Sequence, residues 1–425
     1  METCTDEQKA AIKAVLNGDS IFLTGPGGSG KSYLLEVLRQ EFKKAGRVLA
    51  ITAMTGCAAL LLGTHAKTLH SWAGIGLGKG SVDSIIMSIH KNGRHKKNWR
   101  DTECLVIDEV SMLTPQLLAL LDQVGQRIRK SRESFGGLQL VFVGDFYQLP
   151  PIYKEEKVAF AFQSDLWKMV VKSVHELKTI HRQKDPVFQT ILNEARIGEL
   201  SDASYATLED RKSAVWKGQP IRPTMLFTRN EDIDTINRSY LGKLTGEEHI
   251  FKATTGSVVS GSPEEIEYRV QKLDKDAPYE KELCLKVGAQ VMLIHNTSVE
   301  LGLVNGSRGV VKGFDNDGVP LVKFMSCLEL RRVEPVEWKS DGDVPIVRKQ
   351  VPLRVAYALT IHKAQGASLD SALVDIGPST FEYGQAYVAL SRVRSLEALY
   401  VHDLDRRSFK VHPLVKDFYE TLRKD

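Results

Sequence analysis

Cysteine is scarce in this chain. The five that occur, Cys4, Cys57, Cys104, Cys284 and Cys327, lie far apart and none makes a C-x-x-C spacing. Neither a zinc site nor a disulfide framework is indicated, and a reducing compartment is expected. Long apolar runs are missing as well. Without about 18 consecutive apolar residues no membrane span is expected. The opening METCTDEQKA has neither an apolar signal core nor an Arg-rich transit pattern. The expected setting is therefore intracellular, with no membrane partner: the cytoplasm of a bacterium or of a virus-infected cell, or the nucleus or mitochondrion for a shortened eukaryotic chain. Nor does one sign of charge dominate. With 57 Lys+Arg against 53 Asp+Glu the net charge is +4, too little by itself to name a polyanionic partner. Charge does gather locally, in KNGRHKKNWR (Lys91 to Arg100) and RIRKSR (Arg127 to Arg132). Each is a solvated face or a set of phosphate contacts.

A chain of 425 residues has room for about two to four domains. Its first 175 residues alternate short apolar runs with helical periodicity. TDEQKAAIKAVLNG opens on a possible capping box from Thr5 to Gln8 and stops at Gly18. SIFLT, RVLAIT, ECLVID and LQLVFVGD read as strands. SYLLEVLRQEFKKAG and PQLLALLDQVGQRIRK read as helices. Such alternation implies a mostly parallel sheet with helices on both faces. A second α/β set is expected from KSVHELK onward. It runs over 176–250 and resumes over 351–425, around an inserted all-β module at 251–350. Asn305-Gly306 and Asp317-Gly318, each between apolar runs, are the hairpin signals in that module.

GPGGSGKS, Gly25 to Ser32, fits G-x-x-x-x-G-K-[ST] between a strand and a helix, the context that motif requires. Glycines let backbone N–H groups curl around phosphates, and a helix N-terminus adds a favourable dipole. Lys31 would reach the outer phosphates and Ser32 would bind Mg2+. In ECLVIDEVSM, Asp108 suits Mg2+ and Glu109 could orient or deprotonate the attacking water. ATP hydrolysis with magnesium is the expected chemistry. In LVFVGDFYQLPP a core strand runs into Asp145, Gln148 and the stiff Pro150-Pro151 pair. Ligands of open parallel sheets sit beyond the carboxyl ends of the strands. Asp145 and Gln148 should therefore face the nucleotide crevice, with Gln148 sensing the terminal phosphate or else capping its loop.

Taken in order, these motifs resemble those of superfamily-one DNA helicases, specifically the petite-integration-frequency (PIF-type) helicases and their RecD-like relatives. Further segments carry the likeness: Thr52 to Gly76, ELKTIHRQKDPVFQTILNEARIGEL from Glu176 to Leu200, LTIHKAQGASLD and YVALSRVRS. Met54, Cys57 and His181 depart from the usual pattern. The resemblance implies two RecA-like P-loop NTPase domains, a strand-contacting wedge at about 64–100, and a small SH3-like barrel as the inserted module. It implies ATP contacts at Gln8, which would read adenine, at Gly25, Pro26, Gly27, Gly28, Ser29, Gly30, Lys31 and Ser32, and at Gly366. Arg182 and Arg392 would reach the γ-phosphate from the second domain across an interdomain cleft. A single strand would be contacted by Thr52, Thr55, His70, Pro150, Thr360, His362 and Lys363. Trp72 would either stack on a base or fill the core.

The function implied is 5′-to-3′ translocation on single-stranded DNA with unwinding of tailed duplex, fork or G-quadruplex DNA and of RNA–DNA hybrids. The chain would act as a monomer or dimerise on DNA. Two other readings stand beside it: a nucleic-acid-stimulated ATPase that remodels complexes, and a binding module that keeps nucleotide as a structural clamp.

Overall fold

The computed structural model describes residues 4–63, 66–76, 78, 80–151, 158–216, 221–256, 262–277, 279–298, 301, 303, 305–325, 327–339 and 346–422. Parts of the expected wedge (64, 65, 77 and 79) and of the expected module (257–261 and 340–345 among them) lie outside the described residues. The chain forms two compact units. The first comprises 1–205, 381–391 and 406–425, and the second 206–380 and 392–405.

The first unit is built on six parallel strands: β1 (Ile21–Thr24), β2 (Leu49–Ala53), β3 (Lys67–Thr68), β4 (Cys104–Asp108), β5 (Gln139–Val143) and β6 (Ser173–Glu176). They lie in the order β3-β2-β4-β5-β1-β6. β1, β4 and β5 are buried at every position, as a sheet covered on both faces demands. Alternate residues feed two cores. Phe22, Ile107 and Phe142 point to one, and Leu23, Val106 and Val143 to the other.

The helices supply the facing stripes. α1 (Asp6–Leu16) and α2 (Lys31–Lys44) cover the second core. The first core is lined by α4 (Leu69–Ala73), α5 (Val82–Lys91), α6 (Gly93–Asp101), α7 (Pro115–Arg129) and the helix Pro413–Leu422. A short α3 (Gly56–Leu61) follows β2. The Thr5–Gln8 capping box is formed, and α1 ends at Leu16, two residues before Gly18.

One strand falls in the other set from that expected. In the sequence pattern Ser173–Glu176 opens the second α/β set. It is the edge of the first sheet, paired in parallel with β1 from Ile21↔Ser173 to Thr24↔Glu176. Its four residues are all half-buried, so no apolar alternation marked its sheet. The helix Pro186–Ile197 follows it into the first unit.

The second unit holds a four-stranded parallel sheet in the order Ala358–Thr360, Thr224–Phe227, Ala372–Ile376, Leu399–Leu404. Antiparallel sheets of five, three and two strands and several helices accompany it among the described residues. The expectation of an all-β module needs correction, because Pro263–Asp276 is a helix. Its start was written in the sequence: Ser262 and Glu265 form a capping box around Pro263 at the first helical position. Asp317-Gly318 does lie in a hairpin, with Phe314 paired to Pro320. Asn305-Gly306 is not a two-residue turn. Gln290–Leu293 and Arg308–Phe314 pair from Gln290↔Val310 to Met292↔Arg308, so the connection spans 294–307. Within this unit Arg308 is buried, and its guanidinium donates to the carbonyl of Arg222, to Thr224 Oγ1 and to Ser371 Oγ. One side chain thereby fastens an antiparallel strand to the parallel sheet.

Candidate nucleotide site and strand-contacting residues

Because the strands of the first sheet are parallel, their carboxyl ends share one edge. β1 delivers the chain there into Gly25–Ser32, and α2 carries it away. The glycines are required by contact as well as by backbone angle. A Cβ on Gly28, whose φ is +86°, would meet Arg182 Cβ at 2.5 Å, and one on Gly25 would meet the carbonyl oxygen of Leu177 at 2.3 Å. Residues following β6 therefore form a wall of the loop, and the amide of His181 donates to Gly28 O at 2.9 Å. Lys31 Nζ donates to the carbonyls of Gly25 (2.7 Å) and Pro26 (2.9 Å). Burial lowers its pKa, against the pull of Asp145, Glu109 and Asp108. Ser29 is buried and its Oγ has no hydrogen-bond partner among the described residues. Ser32 is exposed. Gln8 is buried with its Oε1 accepting the Thr5 amide at 3.0 Å, and its Nε2 is what a Cβ on Gly30 would strike at 2.8 Å. It caps α1 and lines the loop at once.

β4 places Asp108 and Glu109 at the same edge. Asp108 is buried, and its Oδ1 accepts the amide of Glu109 at 2.9 Å. That bond holds a turn in which Glu109 takes φ 57° and ψ 44°, left-handed values that cost a non-glycine residue about 1–3 kcal/mol. Burial, then the charge of Glu109, raises the pKa of Asp108 to about 7, while Lys31 opposes the rise.

β5 gives a different outcome for its acid. Asp145 was expected to face the nucleotide crevice. It is fully buried and ion-paired to Arg196, with Nε to Oδ2 at 2.8 Å and Nη2 to Oδ1 at 3.0 Å. Tyr419 and Tyr387 donate to the same carboxylate at 3.3 and 3.5 Å, and the Tyr147 amide donates to it at 3.2 Å. A carboxylate at zero exposure needs a charge partner and filled lone pairs, and this cage supplies both. It also reaches the phosphate loop, because the Gly27 amide donates to Tyr387 Oη at 2.7 Å. Tyr419 Oη lies 2.6 Å from Thr24 Oγ1 at the end of β1. Gln148 and Pro150 are both buried. Arg196 and Tyr387 lie inside segments that carry the family likeness but were given no role there, and Tyr419 lies in no such segment.

Arg182 was expected on the second domain. It belongs to the first unit, with its amide 3.3 Å from Gly28 O and its Nη1 donating to Ser391 O at 3.1 Å. The cause is β6, which joins the first sheet and carries the following residues onto the phosphate loop. Arg392 belongs to the second unit, buried, with Nη1 donating to the carbonyls of Ala364 and Ala367 at 3.3 Å each. Those carbonyls bracket Gly366, whose φ is +79°. Thr360 caps the neighbouring short helix through Oγ1, which accepts the Lys363 amide at 3.1 Å. Lys363 is exposed, and burial lowers the pKa of His362.

Two expected strand contacts are core residues. Thr52 is fully buried and donates its hydroxyl to Val106 O at 2.6 Å. Trp72 is 5% exposed and packs on Trp99 with ring centroids 4.9 Å apart. Neither presents a face to a base in this conformation. Thr55 caps the start of α3, accepting the Ala58 amide at 3.1 Å, and His70 is half-buried with its pKa lowered by burial.

This order of motifs on this fold has close counterparts. The model of the PIF1-like helicase family matches residues 3–203, and that of the DNA helicase Pif1 2B domain matches 270–314. A Pif1 helicase from Candida albicans has a solved structure that is 36% identical, with a TM-score of 0.85 over 99% of this chain and 100% of that one. The chain belongs to the PIF1-like helicase family. A Bacteroides Pif1 solved with ADP-AlF3 and single-stranded DNA is 26% identical, with a TM-score of 0.69 over 99% of this chain and 97% of that one. The ATP-dependent DNA helicase PIF1 of Homo sapiens is 39% identical over 99% of this chain, which spans 64% of the human protein. No described helix is long and apolar enough to cross a membrane.

Proposed function

We propose that this chain is an ATP-dependent DNA helicase motor of the PIF1 type. It moves 5′-to-3′ on single-stranded DNA and opens tailed or forked duplex, with G-quadruplex DNA and RNA–DNA hybrid as further substrates. The observation that carries this reading is the gathering of Gly25–Ser32, Asp108, Glu109 and Arg182 at one edge of one parallel sheet. The human relative's name specifies ATP and DNA, and the Bacteroides relative was solved with a nucleotide analogue and a single strand. Both support the same ligands here.

The residues fit a magnesium-bound triphosphate. A glycine cradle that Cβ atoms would fill, the unpartnered Ser29 hydroxyl, and two oxygen donors, Ser32 and Asp108, suit a phosphate chain and a hard cation. When bound, Mg2+ neutralises phosphate charge. Lys31 would exchange the Gly25 and Pro26 carbonyls for phosphate oxygens. Glu109 would orient the attacking water. Arg182 and Arg392 would meet charge developing on the terminal phosphate, a task suited to a planar, permanently charged guanidinium. In Arg182 that cation sits on the same unit as the loop. Each base-pair step opened costs about 1.4 kcal/mol in stacking, so a repeated energy input is needed. Strand displacement from duplexes with a 5′ or a 3′ tail, with Lys31→Ala as control, is the test. Displacement confined to the 5′-tailed substrate and lost in Lys31→Ala, with strand binding retained, is the expected result. ATP turnover without displacement would leave a remodelling ATPase instead.

A further inference from the structure

A second charged feature of the first unit takes no part in the nucleotide site. It lies at the amino ends of β4 and β5. α6 ends at Asp101, three residues before β4 begins, and α7 ends at Arg129, ahead of β5 at Gln139. Asp108 and the phosphate loop lie at the carboxyl ends. A five-residue strand is about 13 Å long, so the two regions are at least that far apart along the sheet.

Here α6 and α7 pack together. Arg129 ties them by donating to Trp99 O (2.6 Å), Thr102 O (3.0 Å) and Gly136 O (2.8 Å). A pocket of about 340 Å3 opens beside it, lined by Arg100, Ile128, Arg129, Lys130 and Gly136. Arg100 and Lys130 of this lining are exposed, as are Lys97 one turn back along α6, Arg132 two residues beyond Lys130, and Lys91 at the end of α5. Among the described residues no carboxylate forms an ion pair with any of these five. The nearby acids Asp83 and Glu103 are already engaged, with Arg127 and Arg47 respectively, and the exposed Asp101 and Glu133 still leave an excess of cations here. In a chain whose charges nearly cancel, this is a concentrated cationic face. Its apolar lining residue, Ile128, is itself buried, so it offers no anchor for a peptide's apolar side chains. Splayed Lys and Arg on two helices suit a polyanion with regularly spaced phosphates.

We propose that this face grips the sugar–phosphate backbone of duplex DNA, extending the expected strand-contacting segment at about 64–100 onto the end of α7. The inference rests on the helicase reading for its partner. The phosphates could come from the duplex arm or from the displaced strand, and charge complementarity favours the duplex, which carries one phosphate charge per about 1.7 Å of axis, about twice the density of a single strand.

The test compares the wild-type chain with Lys130→Gln/Arg132→Gln, two positions outside the segment expected to contact the single strand. Fluorescence anisotropy reads binding to a blunt duplex and to a single strand across a salt series, and single-strand-stimulated ATPase is measured alongside. Each lost phosphate contact flattens the plot of log affinity against log salt by about 0.9. The variant should therefore lose about 1–2 from the duplex slope and bind duplex at least about tenfold more weakly at 0.1 M salt. Its single-strand affinity and ATPase should stay at wild-type values, which also shows that it is folded. An unchanged duplex slope overturns the inference, as does a loss confined to the single strand, or poly-glutamate displacing duplex as well as a DNA competitor of equal charge. Wild-type protein that neither binds DNA nor hydrolyses ATP would instead remove the helicase reading, and this inference with it.

Discussion

Removal of Arg196 should be among the most damaging single changes in the first unit. Its guanidinium is 5% exposed and meets a carboxylate at 0% in a two-bond fork of 2.8 and 3.0 Å. Arg196→Met would leave the Asp145 carboxyl in the core without its charge partner, with two tyrosine hydroxyls and one amide as its remaining donors. Stripping one partner from a buried pair costs about 3–5 kcal/mol, whereas replacing both by neutral groups of similar volume is often close to neutral. At about 2–4 °C per kcal/mol for a unit of 150–250 residues, the Tm should fall by roughly 6–20 °C. Asp145→Asn/Arg196→Met should recover most of that loss. Differential scanning calorimetry on the wild type, both single variants and the double variant closes the cycle. A fall of less than about 2 °C for Arg196→Met, or a double variant no more stable than the worse single, would refute the claim that this pair is buried and mutually dependent.

Three further outcomes are expected. Asp108 has its pKa raised from 3.8 to about 7, so the native state holds its proton more tightly than the unfolded chain. That contribution to stability is complete below about pH 4 and is lost as pH rises through 7; Asp108→Asn should flatten the pH dependence of urea unfolding over that window, measured without Mg2+ or nucleotide. A phosphate oxygen that takes the Gly27 amide must displace Tyr387 Oη, so Tyr387→Phe should tighten nucleotide binding by about two- to tenfold, the worth of one ordinary hydrogen bond. Titration calorimetry reads it, and weaker binding would count against the exchange. Trp72→Ala should cost about 3–5 kcal/mol in denaturant unfolding because the ring is core, and a stable variant with weakened strand affinity would restore Trp72 as a stacking residue.

How far the site could be read from sequence followed sequence distance. Gly25–Ser32 and Asp108–Glu109 are local: their spacing fixes their geometry once a strand precedes them. The cage around Asp145 is not. Its partners come from positions 196, 387 and 419, joined by folding alone, so the acid after β5 looked like one more ligand for the crevice. The same limit misplaced Arg182. Its motif was legible, but its unit depended on a strand with no apolar alternation. Thr52 and Trp72 sit in segments that resemble strand-contacting motifs, yet their side chains point into the core, and residue type cannot report which way a side chain faces. By contrast, the helix at Pro263–Asp276 has a purely local signature, the Ser262–Glu265 capping box with proline at its first position.

The hydrogen bond from Thr24 to Tyr419 spans 395 positions, and Phe418 stacks on Phe162 in the core of the first unit. A ribosome adding about 5–20 residues per second would take roughly 20–80 s to travel from one to the other. Through that interval the aromatic surface around Phe22 and Phe146 lacks its final cover. The first unit is thus begun early and closed only when this helix emerges, and a transcript cut short before it would leave that aromatic surface open to aggregation.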